Sequence, residues 1–171
     1  MDHLSSTTAA SVAVLTVSDS RTNDDDKSGA LIMDLLKEAG HHIASREIVK
    51  DDGGLIRSTM TSWIENRLIH IIIVTGGTGP AQSDMTPEVI MPMFDAMLPG
   101  FGELFRQLSY DDIGSAAMLS RAVAGWVDSG DFRTPIFVLP GSPKAVALAM
   151  NTLIIPQLGH LLDLCSLESS P

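Results

Sequence analysis

Ile71-Ile72-Ile73-Val74-Thr75-Gly76-Gly77-Thr78-Gly79-Pro80 joins an apolar, β-branched run to a turn built from glycine, threonine and proline. A continuous apolar run of this kind reads as a strand buried on both faces, at the centre of a parallel sheet. The glycines that follow allow positive φ and let a ligand approach the main-chain N–H groups closely, one way in which phosphate is held. Beyond the loop, Asp84-Met85-Thr86-Pro87-Glu88 predicts a helix start, with Thr86 at the N-cap and Pro87 at the first helical position. Strand, glycine loop, acidic residue and helix, in that order, point to an anion site with room for a metal ion.

The same alternation extends to both sides. Further strands are predicted at 12–17, 43–49, 122–127 and 136–139. An amphipathic helix opens at Ser28-Gly29, carries Leu31, Ile32, Leu35 and Leu36, and stops at Gly40. A second spans 55–67, with Ile56, Met60, Trp63 and Ile64. The Thr86-capped helix is expected to run through Val89, Ile90, Met93, Phe94 and Met97, and another follows Pro99. A short helix covers 116–119, and a last one, capped by Ser142, covers 145–155. Asp128-Ser129-Gly130-Asp131 predicts a hairpin, so one strand pair should be antiparallel. The fold class is α/β: a three-layer, doubly wound, mostly parallel sheet with an antiparallel hairpin. One domain is expected over 11–165, with tails at 1–10 and 166–171.

Composition narrows the function. A formal net charge of −10 over 171 residues argues against a nucleic-acid binder, which would carry a basic footprint. An acidic protein that handles phosphate needs backbone N–H groups, helix N-termini, a few Lys or Arg, or a divalent cation to compensate. The single Cys165 excludes an internal disulfide and a multi-cysteine zinc site. The first residues show no secretory pattern, and no apolar run approaches the roughly 20 residues of a membrane helix, so a cytoplasmic protein is expected. The acidic run Asn23-Asp24-Asp25-Asp26 reads as a solvated loop, and His41-His42 as surface residues, because neither repeats a ligand spacing. Phe101, Phe105 and Met118 would suit an interface, but core burial is the expected fate of each.

Turns after strand carboxyl ends include Ser18-Asp19-Ser20, Asp51-Asp52-Gly53-Gly54, Gly76-Gly77-Thr78-Gly79 and Pro140-Gly141-Ser142-Pro143-Lys144. In a doubly wound sheet such turns share one edge, where ligands bind near the reversal of strand order. The glycine loop lacks the Lys-Ser/Thr ending of a P-loop and the spacing of a dinucleotide fingerprint. Asp51 and Asp84, on two of these turns, are the candidate carboxylates for joint coordination of Mg²⁺, which takes one or two carboxylates plus substrate phosphates and water. Each would otherwise serve as a cap or Asx turn. Asp52 is an alternative to Asp51; whichever does not hold the metal caps the next helix. Lys144 offers a positive charge beside the site, or else is a solvated lysine. Nucleotidyl transfer needs such positioning and charge neutralisation more than covalent help.

Several blocks together resemble the MoaB/Mog family of molybdenum cofactor biosynthesis. They are Thr75 to Pro80 with Asp84 to Glu88, Pro99-Gly100-Phe101-Gly102-Glu103, Ser120-Arg121, and Leu139-Pro140-Gly141-Ser142-Pro143-Lys144. They occur in order and span nearly the whole chain. Ser28-Gly29, Glu38-Ala39-Gly40-His41-His42 and Ser120 to Gly125 look more like the MoaB branch. The resemblance implies a molybdopterin-binding α/β fold, a homo-oligomer (trimer or hexamer), and an adenylyltransferase. ATP and molybdopterin, with Mg²⁺, would give adenylyl-molybdopterin and pyrophosphate. The product would then pass to the enzyme that inserts molybdate. It places the functional aspartates at Asp51 and Asp84, and Ser18, Gly76, Gly77, Thr78, Gly79, Ser120, Gly141 and Ser142 near the ligand. Two other readings stand beside it: a non-catalytic molybdopterin-binding or scaffold protein of the same pathway, and a nucleotide-pyrophosphate hydrolase.

Overall fold

In the computed structural model, which describes residues 8–130 and 132–165, the β-branched runs form one six-stranded sheet. The strands are β1 (Ser11–Val17), β2 (His42–Val49), β3 (Ile71–Thr75), β4 (Ala96–Met97), β5 (Val123–Asp128) and β6 (Arg133–Leu139), ordered β2-β1-β3-β6-β5-β4. The first four in that order are parallel, and β5 runs antiparallel to both β6 and β4. The expected hairpin thus joins β5 to β6. Because β1 has β2 on one side and β3 on the other, strand order reverses between β1 and β3, and the loops leaving them open a crevice.

The helices are α1 (Lys27–Glu38), α2 (Gly53–Ile64), α3 (Thr86–Ile90), α4 (Pro99–Ile113), α5 (Pro143–Ala149) and α6 (Leu158–Cys165). Alternate residues of the central strands feed two cores. On one face Val12, Val14, Ile71 and Ile73 meet Ile32 and Leu36 of α1, Phe105 of α4 and Val146 of α5. On the other, Ala13, Leu15, Ile72 and Val74 meet Ile56, Met60 and Trp63 of α2 and Ile90 of α3. Each buried isoleucine contributes about 1.5–3 kcal/mol. All five residues of β3 are buried, as a central strand requires.

Some expectations need correction. The helix at 86 is short: Met85 occupies the N-cap without a side-chain bond, Thr86 is already helical, and the helix ends at Ile90. Pro92, which has no N–H to continue the ladder, lies in a 3₁₀ turn (Met91–Met93), and Ala96–Met97 then forms the edge strand opposite Trp126 and Gly125. The segment after α4 is likewise 3₁₀, Gly114–Leu119. Ala10, assigned above to the tail, is buried; its N–H donates to His41 Nδ1 (3.1 Å) and its carbonyl accepts from His42 N (2.8 Å). Residues 1–7 and the tail at 166–171 lie outside the described residues. Phe101 and Phe105 are core residues, but Met118 is 77% exposed.

The C-terminal helix also runs further than expected. Pro143–Cys165 is one 23-residue helix, long and apolar enough by length and composition to cross a membrane. A π turn (Met150–Ile154) and a 3₁₀ turn (Ile155–Gln157) carry it past Pro156, which cannot donate a helical hydrogen bond. Val146, Met150, Ile154, Leu158 and Leu162 pack on the sheet core, which accounts for its apolar character. Cys165 is buried at its end, and burial is the chief reason its thiol is pushed up to about 11.

Candidate functional site

The carboxyl ends of β1, β2, β3 and β6 lie on one edge, and their loops are bonded to one another. Gly76 N–H donates to Leu139 O (3.0 Å), and Thr75 Oγ1 donates to Pro140 O (2.9 Å). Ser18 N–H donates to Val49 O (2.9 Å). Gly76 has φ +102°, and a Cβ there would stand 2.1 Å from Val17 O, so only glycine lets β3 turn so close to β1. Its N–H is therefore spent on the fold. The N–H groups of Gly77, Thr78 and Gly79 donate to no protein acceptor among the described residues and remain available to an anion.

The two candidate aspartates flank this loop. Asp51 Oδ1 accepts from Met85 N (3.2 Å), and a Cβ on Gly77 would stand 2.7 Å from its Oδ2. Asp84 Oδ2 accepts from Ala81 N (3.0 Å), and a Cβ on Gly79 would stand 2.7 Å from the same oxygen. The loop's glycines are thus what bring both carboxylates against its backbone. Asp52 faces elsewhere, accepting from Gly54 N and Leu55 N (both 2.9 Å) as the N-cap of α2. That separates the neighbours: Asp51 lies against the glycine loop and Asp52 is the cap of α2.

A third carboxylate, unassigned by sequence reasoning, joins them. Asp19 Oδ1 accepts from Asp51 N (3.1 Å), and its charge is felt at Asp51. Burial, and then the negative charges of Asp84 and Asp19, raise the Asp51 carboxyl above its ordinary range, against the Met85 N–H bond and Arg121. An aspartate raised by folding is disfavoured as carboxylate, so its ionisation detracts from stability as pH rises from the unfolded pKa through the folded one. Asp51→Asn should therefore raise the unfolding midpoint at pH 7, with the gain fading as pH falls through the raised folded pKa and gone below about 4, the unfolded value. Thermal unfolding of both proteins across that range checks the sign.

Among the described residues neither Asp51 nor Asp84 forms an ion pair, and Arg121 offsets the charge at Asp51 only in part. Lys144, the expected positive charge, is 70% exposed and pairs with Asp112 at 3.3 Å. Nor is there a ready-made group of three or more His, Cys, Asp or Glu for a metal among those residues. Thr86 Oγ1 is buried with no hydrogen-bond partner, and a Cβ on Gly77 would meet it at 2.2 Å, on the same side as Asp51. Two under-neutralised carboxylates and an unsatisfied hydroxyl form an all-oxygen donor set, with open N–H groups beside it for phosphate. It fits Mg²⁺ that keeps waters and takes its remaining ligands from phosphate.

Beside the loop opens a cleft of about 500 Å³. Gly77, Thr78, Gly79 and Asp84 form one wall, Ser120, Gly141 and Ser142 the rim, and Phe105, Ser109, Ile113 and Leu119 an apolar side that sequence reasoning did not assign to the site. The spacing of α4 held the only signal, since Phe105, Ser109 and Ile113 are successive i, i+4 positions. Ser142 caps α5, accepting from Ala145 N (3.2 Å). Ser120 Oγ accepts from Ala122 N (3.4 Å). Ser18 does not line this cleft; its Oγ accepts from Ser20 N and Arg21 N and shapes its own turn.

The acidic run also contributes more than a solvated loop. Asp26 is only 2% exposed and caps α1 through Gly29 N (2.9 Å). It accepts from Thr16 Oγ1 (2.7 Å) and Arg46 (3.2 Å) and lies 3.7 Å from Arg21. Arg21 in turn donates to Gly141 O (2.9 Å), as does Ser28 Oγ (2.8 Å), so this cluster fixes the cleft's rim.

The fold recurs in known proteins. The family described as "Probable molybdopterin binding domain" matches residues 13–160. Molybdenum cofactor biosynthesis protein B of Bacillus subtilis (strain 168) is 50% identical over 149 residues, 86% of this chain and 85% of the relative. A crystal structure of a molybdenum cofactor biosynthesis protein B superposes with a TM-score of 0.86 at 44% identity, over 91% of this chain and 95% of that one. The tungsten cofactor synthesizing protein MoaB from Pyrococcus furiosus gives 0.83 at 35% identity, over 94% and 98%. Matches of that extent leave one conclusion: the chain belongs to the MoaB/Mog family of molybdenum cofactor biosynthesis.

Proposed function

We propose that this protein is an Mg²⁺-dependent adenylyltransferase that joins molybdopterin to AMP from ATP and releases pyrophosphate. The observation that carries the reading is the glycine loop, with three open amides set between two carboxylates that form no ion pair among the described residues. The pterin phosphate and the ATP phosphates are its anions, and the amides of Gly77, Thr78 and Gly79 orient them. A pterin phosphate oxygen attacks the α-phosphorus, and the α–β bridge breaks to release pyrophosphate. Asp51 and Asp84, with Thr86 Oγ1 nearby, would hold Mg²⁺, which would neutralise the phosphate charge. The apolar side of the cleft, Phe105, Ile113 and Leu119, excludes water and faces the flat heterocycle.

Pyrophosphate release from ATP, Mg²⁺ and molybdopterin is the direct test. Saturable pterin binding without pyrophosphate would replace this reading with the scaffold one. Cleavage of ADP-ribose without added pterin would favour the hydrolase.

A homo-oligomer belongs to the same proposal. Leu104, Tyr110, Ile113, Met118 and Leu119 are each at least half exposed on α4 and the turn after it, a concentration that suits a subunit contact. Sedimentation should give a trimer or hexamer, and Met118→Glu should shift it towards monomer. The expected place of action is the cytoplasm, with the product handed to the molybdate-inserting enzyme.

A further inference from the structure

Arg121 forms no ion pair with either aspartate, yet it bonds the loop backbone at Thr78, Gly79 and Asp84. Its Nε donates to Gly79 O (3.0 Å) and approaches Thr78 O (3.4 Å). One terminal nitrogen donates to the main-chain carbonyl of Asp84 (2.7 Å), and the other pairs with Glu88 on α3. Its own N–H donates to Thr78 O (3.3 Å). A single guanidinium therefore grips the carbonyls of Thr78, Gly79 and Asp84, and Glu88 fixes its plane. Holding the Thr78 carbonyl fixes the Gly79 N–H on the opposite side of that peptide, and holding the Asp84 carbonyl fixes the Met85 N–H that donates to Asp51.

We infer that Arg121 is the positioning residue of this site, oriented by Glu88, and that it holds the Gly79 amide, the Met85 amide that bonds Asp51, and the backbone of Asp84 in one fixed relation. The inference deepens the proposed reaction and rests on it for its kinetic consequence, though not for its structural one. Two features set this role apart from ordinary loop packing. The contacts span both halves of the loop, so the spacing between cradle and carboxylate is what they define. They also use the planar, multi-donor fork of arginine, which a lysine ammonium cannot reproduce at three carbonyls. Arg106 plays a lesser version of the part, donating to Ala122 O at 3.0 Å on the segment that carries Arg121.

The test compares Arg121→Lys, Arg121→Ala and the milder Glu88→Gln in the full chain. Amide hydrogen exchange is followed at the bonded amides of the segment, Ala81, Asp84, Met85 and Thr86, with steady-state turnover measured beside it. Arg121→Ala should lose protection across that segment by tenfold or more, while β1, β3 and β6 keep theirs. Arg121→Lys should recover little of it, and millimolar guanidinium added to Arg121→Ala should restore part. Turnover should fall on the order of 10²-fold, in kcat more than in KM for ATP, as misplacement of a reacting group does. Glu88→Gln should shift both readouts in the same direction by a smaller factor.

Unchanged protection at Ala81, Asp84, Met85 and Thr86 in Arg121→Ala overturns the inference. So does complete rescue by lysine, which would make charge rather than the fork the active feature. Loss of turnover with intact protection also overturns it, because Arg121 would then act on substrate directly. Should the wild-type protein show no turnover, the proposed reaction fails while the exchange measurements still decide the role of Arg121.

Discussion

Asp84→Asn should cut pyrophosphate release by on the order of 10²–10³-fold, the usual cost of removing one preorganised electrostatic contributor. Asn is nearly isosteric, and its amide oxygen can still accept from Ala81 N, the bond that Asp84 Oδ2 makes at 3.0 Å. The loop should therefore keep its shape while losing one charge. Steady-state kinetics measures the first effect, and Mn²⁺ binding by electron paramagnetic resonance measures the second without requiring turnover. Asp52→Asn serves as the control, since Asn caps a helix as well as Asp and the side chain faces α2. Full activity in Asp84→Asn, or an equal loss in Asp52→Asn, would reject the assignment.

Gly76→Ala should produce the largest loss of stability among single methyl additions in the loop. The residue has φ +102°, and the added carbon would stand 2.1 Å from a main-chain oxygen of β1, which cannot swing away as a side chain does. Strain at positive φ and a backbone clash at the centre of the sheet together should cost about 2 kcal/mol or more. Urea unfolding of the variant beside Gly100→Ala gives the comparison. Gly100 lies in the first turn of α4 with nothing within 4 Å of its added Cβ, so alanine there should be neutral or mildly stabilising. Equal midpoints for the two variants would contradict the account of Gly76.

The strands and the shared edge were legible because a buried parallel strand needs an uninterrupted apolar run, and 71–75 supplies one. Asp51 and Asp84 were legible as candidates because both sit on turns that follow such runs. What escaped depends on distance through space. Nothing local distinguishes Asp26 from Asp24 and Asp25, yet only Asp26 has Thr16 and Arg46 within hydrogen-bond reach. Arg121 is one of several arginines in the sequence, and its three carbonyl partners lie 37 to 43 positions earlier. Thr86 and Pro87 carry a sound N-cap signature, but Thr86 N–H is drawn to Gly77 O (3.1 Å), so the helix begins one residue sooner. The expected extension to Met97 failed at Pro92, whose missing donor outweighs the apolar spacing beyond it.

The double hold on Gly141 has a thermodynamic consequence. With Arg21 and Ser28 both donating to that carbonyl, and Thr75 tied to the neighbouring Pro140, the rim has little conformational freedom left to lose when a ligand arrives. A ligand entering such a site forfeits chiefly its own translational and rotational entropy, without a further charge for ordering loops. Association should then be a single step whose observed rate rises linearly with ligand concentration, unsaturated by any slow rearrangement of the protein.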